Sequence, residues 1–245
     1  MRYPLSTDSS RAHTPTSTTA LELQEVTRTH QDGPATVTAL DGISLVLEPG
    51  ELVAVMGPSG SGKSTLLNIA GTLDSPTSGR VLINGVDVSD LSPAAAAEIR
   101  RSHVGFVFQD FNLVPTLTAA ENIALPLELG RTSRRQARTK ALEVLETLDL
   151  AQLADRFPAE ISGGQAQRVA IGRALIGERR LLLADEPTGA LDTTTGEGVM
   201  NLLRQQIDAG GSGLLVTHEP RFAAWADRTI YLRDGRLIED EEIFL

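Results

Sequence analysis

The eight residues Gly57-Pro58-Ser59-Gly60-Ser61-Gly62-Lys63-Ser64 bring together flexible backbone, one cation and, directly after it, a hydroxyl. They fit G-x-x-x-x-G-K-[ST] at every fixed position, the pattern of a loop that cradles phosphate groups. Gly57, Gly60 and Gly62 let the backbone wrap so that successive N–H groups and a helix start face an anion. Lys63 would then reach the β and γ groups of a nucleoside triphosphate, and Ser64 would offer its hydroxyl to Mg²⁺. Pro58, Ser59 and Ser61 complete the loop, and Thr65 follows where a helix begins. A flexible turn ahead of a helix would explain the glycines but not the lysine and hydroxyl.

A second candidate is Leu181-Leu182-Leu183-Ala184-Asp185-Glu186, an apolar strand ending in two adjacent carboxylates. Beside a phosphate loop the two acids take different work. Asp185 is placed to hold the Mg²⁺ shell, and Glu186, one residue further, to orient a water or accept its proton. Without the loop upstream, a solvated Asp-Glu pair at a strand end would be the better reading.

These residues need elements to position them. Leu52-Val53-Ala54-Val55 reads as a buried strand running into the glycine loop, and Lys63 to Leu67 as the helix behind it. Further buried-type strands are predicted at Val104 to Phe108, Leu181 to Ala184 and Leu214 to Thr217, which implies an α/β fold with a mainly parallel sheet. From Leu21 to Glu48 apolar and polar residues alternate, interrupted by Asp32-Gly33-Pro34 and Asp41-Gly42, the pattern of an antiparallel β region. Residues from about Thr116 to Leu175 are rich in helix formers, with Ala137, Ala141, Val144, Leu145 and Leu148 at helical spacing, and predict an inserted α-helical subdomain.

The 245 residues, 41% hydrophobic, are enough for a full core. A formal charge of −10 argues against general binding to nucleic acid. The absence of cysteine excludes a disulfide framework and suits a reducing compartment. No run of eighteen apolar residues predicts a membrane-spanning helix. The Ser/Thr-rich residues 1–20 read as a disordered tail, residues 21–245 as one domain, and the protein as cytoplasmic. The Glu239 to Glu242 run reads as solvated.

The segment Ile161-Ser162-Gly163-Gly164-Gln165, continued by Ala166-Gln167-Arg168-Val169-Ala170-Ile171-Gly172-Arg173-Ala174-Leu175, decides between the classes that share a phosphate loop. Here the chain resembles the ATP-binding subunits of ABC transporters, whose signature is usually written L-S-G-G-Q; Ile161 in place of leucine is a volume-conserving change. By its residues alone, Ser162-Gly163-Gly164 is a helix start with free N–H groups and partial positive charge. The resemblance implies that two subunits pair head to tail, each signature closing on the γ-phosphate held by the other's loop. It likewise implies a P-loop NTPase fold and cofactors ATP and Mg²⁺.

Three further positions match that family residue by residue. Gln109 matches the Q-loop that senses Mg²⁺, His218 the switch histidine at the γ-phosphate, and Asp192 the D-loop aspartate that crosses the dimer interface. Where the family often has a tyrosine that stacks on adenine, this sequence has His30, a smaller ring. The segments Gly105 to Leu113, Glu121 to Leu127 and Leu73 to Gly79 look like the MacB/LolD-like branch of macrolide-export and lipoprotein-release systems. That likeness implies a second nucleotide-binding subunit, a separate transmembrane permease of the MacB/FtsX-like type, and a place on the inner face of the membrane. Phe111, Leu113 and Val114 are either a surface for that permease or core of the helical subdomain. Arg131, Arg134, Arg135, Arg138 and Lys140 read as a solvated helix face.

Two rival classes share part of this chemistry. A non-transport ABC ATPase of DNA repair or translation usually has tandem cassettes, coiled-coil insertions or basic surfaces, none of them visible here. A P-loop kinase would have no use for Ile161 to Gln165.

Overall fold

The computed structural model of the chain describes residues 19–33, 35–189 and 191–238. Most of the predicted tail, and the Glu239 to Glu242 run, lie outside them. Ala20, placed in the tail from the sequence, is instead buried, and its N–H donates to Leu47 O at 2.9 Å.

Two sheets face each other. The first is antiparallel, in the order β2-β1-β4-β5, from β1 (Leu21–Asp32), β2 (Ala35–Leu47), β4 (Ser78–Ile83) and β5 (Val86–Asp87). Its alternation sends Leu21, Leu23, Ile43, Leu45 and Leu47 inward. Asp41-Gly42, expected to interrupt the region, stays within β2. The register shifts between Val26↔Ile43 and Arg28↔Leu40 take up the irregularity as a bulge, with Gly42 at φ 67°.

The second sheet runs β10-β9-β3-β8-β7-β6, built from β3 (Leu52–Met56), β6 (Val104–Val107), β7 (Leu181–Asp185), β8 (Ser212–Val216), β9 (Arg228–Arg233) and β10 (Arg236–Ile238). All neighbours are parallel except the β9–β10 hairpin. Its central strands are apolar on both faces because both are covered. Val53, Val55, Leu181, Leu183, Leu214 and Val216 pack with Leu66 and Leu67 of α1 (Lys63–Ala70) and with the antiparallel sheet. Leu52, Leu182, Ala184 and Leu215 pack on the other side against α5 (Gly163–Leu175) and α6 (Thr193–Asp208), through Ile171, Val199, Met200 and Leu203.

The chain between β6 and β7 forms α3 (Ala119–Leu129), α4 (Arg134–Thr147) and α5 around a third core. Ile123, Ala137, Ala141, Leu145 and Val169 are fully buried there, and a side chain such as Leu145 contributes about 1.5–3 kcal/mol by leaving water. Thr118 and Ser133 cap α3 and α4 by accepting from the N–H groups of Glu121 and Gln136. Leu113 packs against the edge of this core, and like Phe111 and Val114 it is half-buried. On α4, Arg138 pairs with Asp155 at 2.7 Å and Arg134 with Glu128 at 3.7 Å on the exposed face. Among the described residues no helix is long and apolar enough to cross a membrane.

Candidate functional site

At the C-terminal end of β3 the chain turns through Gly57 to Gly62 and enters α1. Gly57 has φ 151°, and a Cβ there would lie 2.0 Å from Leu232 O of β9. At Gly62, φ 106°, a Cβ would lie 2.4 Å from Ala39 O of β2. The loop is therefore wedged between the two sheets, and both positions require glycine. Gly62 is the N-cap of α1 and has no side chain to bond the first N–H groups of the helix, so they remain available to an anion. Lys63, largely buried, donates through Nζ to Gly57 O and Pro58 O, both at 2.8 Å. The Ser61 hydroxyl is buried without a partner.

Asp185 ends β7 beside this loop. Burial pushes its carboxyl above the ordinary value, and the Ser64 hydroxyl bonded to it and the Lys63 charge offset part of that rise. Glu186 sits at φ 45°, a left-handed conformation that costs about 1–3 kcal/mol in a non-glycine residue and persists only where neighbours hold it. Its N–H donates to Val216 O at 2.9 Å, and its carbonyl accepts from Gly189 N–H at 3.0 Å. His218, just past β8, places Nδ1 3.0 Å from Glu186 Oε2. Gln109, just past β6, approaches the same turn: a Cβ on Gly189 would be 3.4 Å from its Nε2 and 3.5 Å from Glu186 Oε2.

The parallel order of the strands brings these loops to one edge. Gly57, Pro58, Ser59, Gly60, Gly62, Lys63, Ser64, Thr65, Gln109, Asp185, Glu186 and His218 line a single cleft of about 600 Å³, closed on one side by Val37, Thr38 and Ala39 of β2. His30 is not on its wall. It lies on β1 directly opposite Val37, and directly opposed residues share a sheet face, so its imidazole stands beside the wall.

Ser162, Gly163, Gly164, Gln165 and Asp192 are also off the cleft. Ser162 caps α5 reciprocally: Gln165 N–H donates to Ser162 Oγ at 3.3 Å and Ser162 N–H to Gln165 Oε1 at 2.9 Å. Asp192 caps α6, accepting from Thr195 N–H at 3.1 Å and from the Thr195 hydroxyl at 2.6 Å. The Thr195 hydroxyl holds the Asp192 carboxyl below its ordinary value. Thr195 also links the two segments, since a Cβ on Gly164 would be 2.6 Å from its Cγ2.

Arg173 was not singled out by its sequence position. Its guanidinium donates to Phe111 O at 2.8 Å and also to Asn112 O, two consecutive residues at φ 56° and 48°. The C-terminal turn of α5 thus holds the strained loop that follows Gln109. Burial lowers the pKa of Arg173, and Arg179 bonds the Arg173 carbonyl at 2.8 Å. No local sequence signal marks such a tie, because its acceptors are backbone carbonyls about sixty residues away.

A family model described as "ABC transporter" matches residues 40–189, more than half of the chain. The chain belongs to the ABC transporter family. It is an ATP-binding cassette of that family, an ATPase domain. Among its relatives are the macrolide export ATP-binding/permease protein MacB of Salmonella choleraesuis (strain SC-B67), 48% identical over 91% of this chain and 34% of that protein, and MacB of Brucella melitensis, 47% identical over 90% and 34%. The chain thus spans about a third of the length of the curated relatives it matches. Among solved structures, the ATP-binding cassette MJ0796, dimeric in a post-hydrolysis state with ADP and Pi, superposes with a TM-score of 0.83 at 45% identity, covering 89% of this chain and 97% of that one. A second dimeric structure of MJ0796, described as a bacterial ABC transporter cassette, matches at TM-score 0.83 and 46% identity over the same shares. Within this chain the glycine loop, Gln109, Asp185, Glu186 and His218 meet at one edge of the parallel sheet.

Proposed function

We propose that this ABC cassette acts as one half of a head-to-tail pair that closes over two MgATP molecules, hydrolyses them and drives a membrane permease of the MacB/FtsX-like type from the inner face of the membrane. The work is export, or release of a substrate from the outer leaflet. The observation that carries the paired reading is the separation of the two segments: the glycine loop shares a cleft with Asp185, Glu186, Gln109 and His218, whereas none of Ser162, Gly163, Gly164 and Gln165 lines it. A second copy turned end for end would bring its Ser162 and Gly163-Gly164 N–H groups to the open side of that cleft. Support comes from the dimeric form of MJ0796, and for the transport role from the export and permease functions in the relatives' names.

The residues fit magnesium. Among the described residues no group of three or more His, Cys, Asp or Glu side chains makes an all-protein cage, so the ion would be held by Ser64 and Asp185, with Gln109 nearby, together with phosphate oxygens. When bound, it would neutralise charge developing on the phosphates. Lys63 would turn from its loop carbonyls to the β and γ phosphates while the N–H groups of Ser59 to Thr65 hold their oxygens. Glu186 would orient a water and accept its proton, and His218, 3.0 Å from it, would fix that carboxylate and contact the γ-phosphate. His30 would stack on adenine at the rim, and Asp192 would reach the partner beside the signature.

Mixing two differently damaged chains tests the shared site. Lys63→Ala and Ser162→Arg homodimers each carry two broken sites, whereas their heterodimer carries one site with both lesions and one with neither. ATPase activity should return on mixing, to at most about half of the unsubstituted value for the heterodimer fraction if the sites act independently. If heterodimers form and the intact site neither traps labelled ATP nor hydrolyses it, the head-to-tail geometry is wrong. Co-purification with a permease tests the partner.

A further inference from the structure

Gln167 is fully buried in the second turn of α5, two residues beyond the signature, and the cleft does not include it. Its Nε2 donates to Pro187 O at 2.6 Å, while its Oε1 is buried with no partner. The amide orientation is chemically forced, because proline offers a carbonyl and no N–H, so only the NH₂ end can face it. A buried glutamine with half its bonding capacity unused is an unfavourable way to fill a core. What the position obtains is a grip on one peptide group.

That peptide group follows Glu186. Glu186 is held in its left-handed conformation from the strand side by the bond from its N–H to Val216 O, and from the loop side by Gly189 N–H. The bond from Gln167 fixes the carbonyl of Pro187, whose ring has already set φ at that residue. Rotation of the Glu186–Pro187 segment would break it. The backbone around Glu186 is thus held by three ties, two from its own turn and sheet and one from the helix that begins with Ser162, while His218 Nδ1 lies 3.0 Å from the carboxylate itself. α5 runs unbroken from Gly163 to Leu175, so its first turn and Gln167 belong to one helix.

We propose that Gln167 is a positioning residue that ties the signature helix to the turn bearing Glu186, so that engagement of Ser162 and Gly163-Gly164 with the opposite subunit's nucleotide sets the aim of Glu186 in this subunit's own site. The inference rests on Glu186 being the base of the proposed reaction. Its test is Gln167→Met, which keeps the volume and removes the donor, assayed alone and combined with Glu186→Gln. Turnover should fall at least tenfold, with nucleotide affinity and MgATP-induced dimerisation within twofold of the unsubstituted chain. On the Glu186→Gln background the substitution should add nothing, since there is no base left to aim. A folded Gln167→Met chain with unchanged turnover, or one whose loss multiplies undiminished onto Glu186→Gln, overturns the proposal. A Glu186→Gln chain that hydrolyses normally overturns instead the assignment of the base.

Should Gln167→Met not fold, Gln167→Glu differs by little more than the donor. A protonated carboxyl can donate to Pro187 O and an ionised one cannot. Turnover of that variant, relative to the unsubstituted chain, should be recovered at low pH and lost as pH rises through the new group's ionisation. A ratio flat with pH overturns the proposal.

Discussion

Helices α1 and α5 both begin on glycine-containing turns, and their N-termini are finished in opposite ways. At α1 the N-cap is Gly62, with no side chain to bond the first N–H groups, while Lys63, Asp185 and Glu186 converge on the space in front of it. At α5 the N-cap is Ser162, bonded reciprocally with Gln165, and none of Ser162 to Gln165 lines the cleft. The first end is supported by its surroundings and left open for a ligand. The second supports itself through its own capping box. This contrast is what the proposed head-to-tail pair requires: an open helix end in the cleft of one chain and a self-supporting helix end to meet it from the other.

The strongest way to break this contrast is at Glu186. Glu186→Gln keeps the shape and removes the proton acceptor, so turnover should drop by about 10²–10⁴-fold while MgATP still binds. On a sizing column with saturating MgATP the variant should run as a dimer. Turnover like that of the unsubstituted chain would remove the base, and a persistent monomer would count against pairing of the two helix ends.

Lys63→Ala strikes the α1 end itself. Loss of a cation aimed at the phosphates should lower the ATPase rate by about 10²–10³-fold, in the range for one electrostatic contact at a reacting group. Near-normal hydrolysis by a verified pure preparation would mean that the loop is not the phosphate site.

Ser162→Ala sharpens the other side of the comparison, because the cap should matter to the isolated chain as well as to the pair. Denaturant unfolding without nucleotide should show a loss of about 1 kcal/mol, the usual worth of a serine N-cap. An unchanged midpoint would mean that the α5 start does not depend on its capping box.

The smallest effect is expected at the rim of the cleft. His30→Tyr should tighten ATP binding by about 0.5–1.5 kcal/mol, the range of an aromatic contact, if the imaginary line from His30 past Val37 leads to the base. Equal affinities of both chains for ATP and for GTP would place the adenine platform elsewhere.

The strand, loop and helix start around Gly57 to Thr65, and the strand that ends at Asp185, could be read from the chain alone because within each segment neighbours in sequence are neighbours in space. The signature helix start at Ser162 was legible for the same reason. The alternation from Leu21 to Glu48 was enough for an antiparallel region, but not for the bulge at Asp41-Gly42, which depends on where β1 places its partners. Tertiary structure alone decided that His218 reaches Glu186, that Leu113 packs against the helical core, that Arg173 grips the loop after Gln109, and that Gln167 grips Pro187. Each of these joins a side chain to a group on a distant segment, often a backbone carbonyl. Carbonyls are the same at every residue and leave no mark in the sequence. A motif records which groups the chemistry uses; only the packing of α5 against the sheet determines which other side chains hold them in place.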